Sequence, residues 1–172
     1  AILGLLTVTW KFLPLVVMGH LLGGLAILST MKVLYLTLRY KEHRSALLQA
    51  TSEFPRSHKI ACAIGLILVI LQIALGGWVS SNYASLACIG FPTCNRLYVP
   101  PMDWHQAFNL FSPIGLDYAG GKLDSASRVA IQMAHRINAV VTALYLLIFG
   151  AYVLIKEQSP IIRRPALIAM RF

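Results

Sequence analysis

Apolar runs alternate with polar connections along the chain, and the helical period inside those runs carries the first structural expectation. Residues 15–36, 60–79 and 128–155 are each apolar over a length that crosses a hydrocarbon core of roughly 30 Å. Residues 1–9 read as the end of a further apolar helix, and residues 166–170 turn apolar again after Arg163 and Arg164, so the chain reads as a segment of a longer protein. The pattern predicts an all-α fold, a polytopic transmembrane helix bundle, with a long ordered outer loop between the second and third complete spans. Within 128–155, Arg128, Gln132, His135, Asn138 and Thr142 share one helical face, while Val129, Ile131, Val140, Leu144, Leu147 and Ile148 cover the rest. That polar stripe is predicted to face protein or a cofactor rather than lipid.

Composition agrees: of 172 residues, 58% are hydrophobic and 12% charged, with a mean hydropathy of +0.70. The net charge of +9 is spread in a way that argues for a membrane and against a nucleic-acid partner. Residues 39–59 hold Arg39, Lys41, Arg44, Arg56 and Lys59 against Glu42 and Glu53, and a second basic cluster follows at Lys156, Arg163, Arg164 and Arg171. The region 80–127 instead carries Arg96 and Lys122 against Asp103, Asp117 and Asp124. By the positive-inside rule, 39–59 and 156–172 are cytoplasmic and 80–127 lies outside. Trp78 then falls at the outer interfacial level.

An ionisable side chain inside a span is costly and marks function by default. Histidine in that setting is most often a metal or haem ligand or a proton relay, so His135 reads as an axial haem ligand; the plainer reading is a histidine hydrogen-bonded to a neighbouring helix. His20 lies on a second span entered from the same side. Counted from the outer ends of their helices, both histidines sit about 10–12 Å deep. Gly23 and Gly24, three and four residues after His20, leave a face without side chains, which suits either a porphyrin edge or close helix packing. Arg128, two turns outward from His135, is placed to pair with a haem propionate, or is an ordinary interfacial arginine. His43 and His58 read as solvated surface histidines, and Cys62 as a small buried hydrophobe. The sequence has no Cys-x-x-Cys-His, so any haem is held without covalent attachment.

The outer loop is rich in aromatic residues and stiffened by Pro92, Pro100, Pro101 and Pro113. Asp103 is suited to cap a short helix in which Trp104, Phe108 and Phe111 recur on the face turned to the membrane surface, with His105 toward solvent. Cys88 and Cys94 flank five residues in what the topology makes an oxidising compartment. They are expected to form a disulfide that pins the loop, with a thiol pair that cycles during turnover as the alternative.

Several motifs together resemble the second half of haem A synthase: Leu75-Gly76-Gly77-Trp78-Val79-Ser80, the pair Cys88 and Cys94 with Phe91-Pro92-Thr93, Pro100-Pro101-Met102-Asp103, and Ala134-His135-Arg136. Met18-Gly19-His20-Leu21-Leu22-Gly23-Gly24 resembles the last helix of that family's first half. The resemblance implies two similar four-helix bundles, each holding a haem between paired histidines. Residues 1–38 would be the last two helices of the first bundle, and 60–155 the first two of the second. It further implies His135 as an axial ligand of a haem b cofactor, with Arg128 beside it, and His20 at the substrate haem O site. Cys88 and Cys94 would be the loop disulfide. The implied reaction oxidises a methyl group of haem O to the formyl group of haem A for cytochrome oxidase assembly. Haem O synthase and oxidase assembly factors are the implied partners, and a bacterial inner membrane the implied location. The partner of each histidine, and a glutamate the family carries in an early helix, have no counterpart here, so the segment is expected to be inactive alone. A membrane b-type cytochrome that only transfers electrons or binds haem is the alternative, and a non-enzymatic assembly or transport protein a third reading.

Overall fold

The computed structural model describes residues 2–9, 13–39, 55–110 and 123–156. Over these the chain forms α1 (Ile2–Thr9), α2 (Pro14–Arg39), α3 (Arg56–Ser81), α4 (Trp104–Ala107) and α5 (Ser125–Lys156). Expectations concerning His43, Phe111 and the apolar restart at 166–170 lie outside the described residues. Among the described residues the only β-type pairing is an isolated bridge between Cys94 and Leu97. The all-α expectation holds.

Three helices, α2, α3 and α5, are long and apolar enough to cross a membrane. Their exposed surface is built from Ile27, Leu28, Leu34, Leu66, Ile67, Leu144, Leu147 and Ile148. Large apolar residues exposed over whole helices are what a lipid solvent selects, because an α-helix satisfies its own backbone polar groups and has no other cause to bury that surface. Hydroxyls on these helices bond backward in the same way: Thr37 Oγ1 donates to Val33 O at 2.8 Å and Ser81 Oγ to Gly77 O at 2.8 Å. The chain is an integral membrane protein.

The helices begin and end somewhat beyond the predicted limits. At α5 the reason is a cap: Asp124 Oδ1 accepts from Ser127 N at 2.8 Å, so the helix starts at Ser125 rather than Arg128. The neighbouring Ser127, first its side chain and then its backbone N–H, holds the Asp124 carboxyl below the usual carboxylate range.

The chain divides into two compact units, Ala1–Ser29 with Leu71–Asn138 and Thr30–Ile70 with Ala139–Phe172. In the first, Trp78, Val79, Ala84, Ala107, Leu123, Ala130 and Ile131 form the core, with Met18 and Met102 packed against it. Trp78 is 4% exposed and its indole Nε1 donates to Ala107 O at 2.9 Å. The indole thus ties α3 to α4. Ile131, read from sequence as lying off the polar stripe of its helix, is buried in the same cluster.

In the second unit, Ala61 and Gly65 face α5: Tyr145 Oη donates to Ala61 O at 2.7 Å, and a Cβ on Gly65 would lie 3.3 Å from the Tyr145 ring. Two sequence expectations fail in this unit. Cys62 is exposed, because one residue beyond Ala61 the helix has turned its side chain to the outer face that also carries Leu66. His58 is buried at 8% exposure, because α3 already begins at Arg56 and the imidazole packs on Tyr152, ring centroids 5.7 Å apart.

Candidate functional site

Both intramembrane histidines open on one cleft in the first unit. Val17, His20 and Leu21 of α2, Ile73, Gly76 and Gly77 of α3, and His135 of α5 line a space of about 670 Å³. The walls are apolar apart from the imidazoles and Ser80. Glycines set how closely the helices pack. A Cβ on Gly77 would press to 3.2 Å from Leu21 Cδ2 and 3.4 Å from Met18 Cγ, so its absence is what lets α2 and α3 approach. Each imidazole is also seated on a glycine of another helix: a Cβ on Gly76 would meet His135 Cε1 at 3.4 Å, and one on Gly4 would meet His20 Cε1 at 3.4 Å. His20 is exposed and His135 half-buried.

His135 belongs to a polar set inside the apolar segment. Gln72 Nε2 lies 3.1 Å from His135 Nδ1 and 3.4 Å from Nε2, and Asn138 Nδ2 donates to Gln72 Oε1 at 2.7 Å. The stripe read from sequence supplies His135 and Asn138, and Gln132 and Thr142 on the same face are also shielded, Thr142 to 6% exposure. Gln72 escaped the sequence reading. Its one available signal was a lone amide in the otherwise apolar run 60–79, a group that lipid does not accommodate without a partner.

The connection between α3 and α5 is tied to the next residue, Arg136. Its Nη1 donates to Gly90 O at 2.6 Å and Thr93 O at 3.3 Å, and its Nη2 to Cys88 O at 2.7 Å. Cys88 and Cys94, both buried, have their sulfurs 2.02 Å apart and pack with Val129, Met102 and Met133. Asn95 closes the same loop, accepting from Ile89 N at 3.1 Å and donating to Ala87 O at 3.0 Å. Arg136 is a second residue whose work the sequence did not reveal.

Asp103 caps α4 as expected, accepting from Gln106 N at 3.0 Å, and Trp104 stacks on Phe108 with ring centroids 6.3 Å apart. His105 is exposed and takes no part in the cleft. Arg128 is half-buried and is not among the cleft's lining residues. Among the described residues no three His, Cys, Asp or Glu side chains converge.

The family model described as cytochrome oxidase assembly protein, COX15-CtaA, matches residues 1–172. A protein of Shewanella oneidensis called "Heme A synthase" is 36% identical over 156 residues, covering 91% of this chain and 46% of that protein. The chain therefore spans about half the length of the curated relative it matches. No solved structure matches.

Proposed function

The chain belongs to the COX15-CtaA family of cytochrome oxidase assembly proteins, and on that premise we propose that it forms part of a haem A synthase, an oxidoreductase that converts the methyl group of haem O to the formyl group of haem A. The observation that carries this reading is the pair of imidazoles opening on one apolar cleft of about 670 Å³. That volume falls within the roughly 300–1,000 Å³ of small-molecule and cofactor sites. Imidazole nitrogens on glycine-lined apolar walls suit an iron porphyrin, which needs axial donors and a flat unobstructed face.

In this reading His135 would hold a resident haem b, and His20 would hold the substrate, haem O. A bound haem b supplies one-electron redox chemistry beside the substrate. The chain's own residues do the rest. His20 fixes the height and tilt of the substrate macrocycle, while Val17, Leu21 and Ile73 keep bulk water from it. Gly76 seats the His135 ring, and Gly77 lets α2 close on α3 beside the cleft. Arg128, close to the start of α5, would be the residue that pairs with a propionate. Cys88 and Cys94 form a structural disulfide, and with Arg136 they hold the connection down. That connection faces the periplasm of a bacterial inner membrane, and 39–59 faces the cytoplasm; haem O synthase and oxidase assembly factors are the partners.

The test is expression of the complete gene with a source of haem O, followed by mass analysis of the extracted haem. Haem A is the expected product, and haem O recovered unchanged rejects the enzyme. The shared cleft also favours a second reading, in which His20 and His135 hold one haem in a b-type cytochrome that only moves electrons. Haem content separates the two: His20→Ala keeps the resident haem if the sites are separate and loses it if the haem is shared.

A further inference from the structure

The loop closed by Cys88 and Cys94 carries the wrong surface for water. Residues 84–94 hold no charged side chain, and two large apolar ones, Ile89 and Phe91, are 73% and 74% exposed. Between them Gly90 turns the chain at a φ of +93°, in the left-handed region that suits glycine. Apolar side chains held outward on an uncharged turn mark a surface covered by something other than solvent.

The backbone is provided for accordingly. Four successive carbonyls accept hydrogen bonds from within the protein: Ala87 O from Asn95 Nδ2 at 3.0 Å, Cys88 O from Arg136 Nη2 at 2.7 Å, Ile89 O from Asn95 N at 2.8 Å and Gly90 O from Arg136 Nη1 at 2.6 Å. A loop in water has no need of a guanidinium to serve its carbonyls. One set against a bilayer does, because non-helical backbone is tolerated there only where protein meets its polar groups. The level of the loop decides between the two. Cys88 Sγ lies 3.7 Å from Met133 Sδ, and Met133 is about 12 Å along α5 from Ser125. Two residues on, His135 meets Gly76, from which α3 runs about 7 Å further to its end at Ser81. The disulfide loop therefore lies beside α5 below the end of α3, level with the last turns of the apolar run 60–79.

We propose that Ile89 and Phe91 are a lipid anchor. The loop rests on α5 at the boundary between headgroups and acyl chains, its two apolar side chains reach into the leaflet, and Arg136 replaces the water that its carbonyls lose. The occupant of this surface is phospholipid rather than a second polypeptide. The anchor does not depend on what the cleft holds.

The experiment uses the complete protein in single-copy lipid nanodiscs, with a reporter at one position or the other, Phe91→Trp or Ile89→Trp, and reads the tryptophan emission gained over wild type. Lipid brominated near the glycerol end of its chains should quench that gained emission severalfold more than aqueous iodide does. Quenching by iodide with no effect of bromine places both side chains in water and overturns the anchor. Two reporter positions keep the test open if one variant fails to assemble. In native membranes, p-benzoylphenylalanine at position 91 identifies the occupant after irradiation. An adduct of phospholipid mass supports the anchor, and an adduct of protein mass shows that a polypeptide covers the loop and overturns it.

Discussion

At the scale of single residues, the histidines were legible because an imidazole inside an apolar run has a solvation cost that demands an explanation. His135→Ala is expected to abolish the b-type absorption spectrum of the complete protein, and a spectrum like wild type removes His135 from the site. Gln72 was not legible. An amide in an apolar run carries no charge, and only the structure reveals that it meets His135 from sixty-three positions away. Arg136 stood in the sequence as a neighbour of His135, yet it donates to the carbonyls of Gly90, Thr93 and Cys88. Charge-assisted hydrogen bonds of this kind contribute about 1.5–3 kcal/mol each before solvent screening. Arg136→Gln should therefore speed amide exchange across residues 88–95 and leave that of residues 139–150 unchanged. Uniform exchange rates in wild type and variant would show that the guanidinium holds nothing.

At the scale of elements, apolar length gave the existence of α2, α3 and α5, while their ends depended on local chemistry that a hydropathy pattern does not contain. Asp124 was counted as a loop charge when its work is to cap α5. Because its carboxyl sits below the ordinary range in the folded chain, the cap is fully formed above the unfolded value and is lost as pH falls through the folded one. Protection of the Ser127 amide should hold through neutral and mildly acidic pH and fade below the usual carboxylate range. Asp124→Asn, which caps without titrating, should flatten that dependence. Asp103 was recognised as a cap because a run of aromatic residues followed it. Packing between elements was the least legible: Gly76 and Gly77 look alike in sequence, but one seats His135 and the other admits Leu21 and Met18. Gly76→Val should displace the imidazole and lower haem content severalfold, measured by pyridine haemochrome. Gly77→Ala, whose new methyl meets the flexible end of Leu21, should be milder.

At the scale of the whole molecule, the solvent was the strongest signal, since 58% hydrophobic residues in long uninterrupted runs fit only a bilayer. The chain should stay with membranes through alkaline washing and enter solution only with detergent, as sedimentation can check. Counting along the sequence predicts one depth for His20 and His135 but says nothing of their bearing around the helices. Depth comes from counting rise per residue, whereas bearing depends on which faces pack together, and that was set by glycines and by the buried indole of Trp78. The resemblance assigns the two histidines to separate haems. The structure puts His20 and His135 on the lining of one cleft.

His135 and Arg136 are consecutive on a helix, so their side chains leave it about 100° apart. One looks into the cleft while the other grips the cysteine-bearing connection. A disturbance of that connection, by proteolysis at its exposed tip or by reduction of its sulfurs, therefore reaches the histidine across a single peptide unit. The cysteine-bearing connection and the histidine turn on one helical axis.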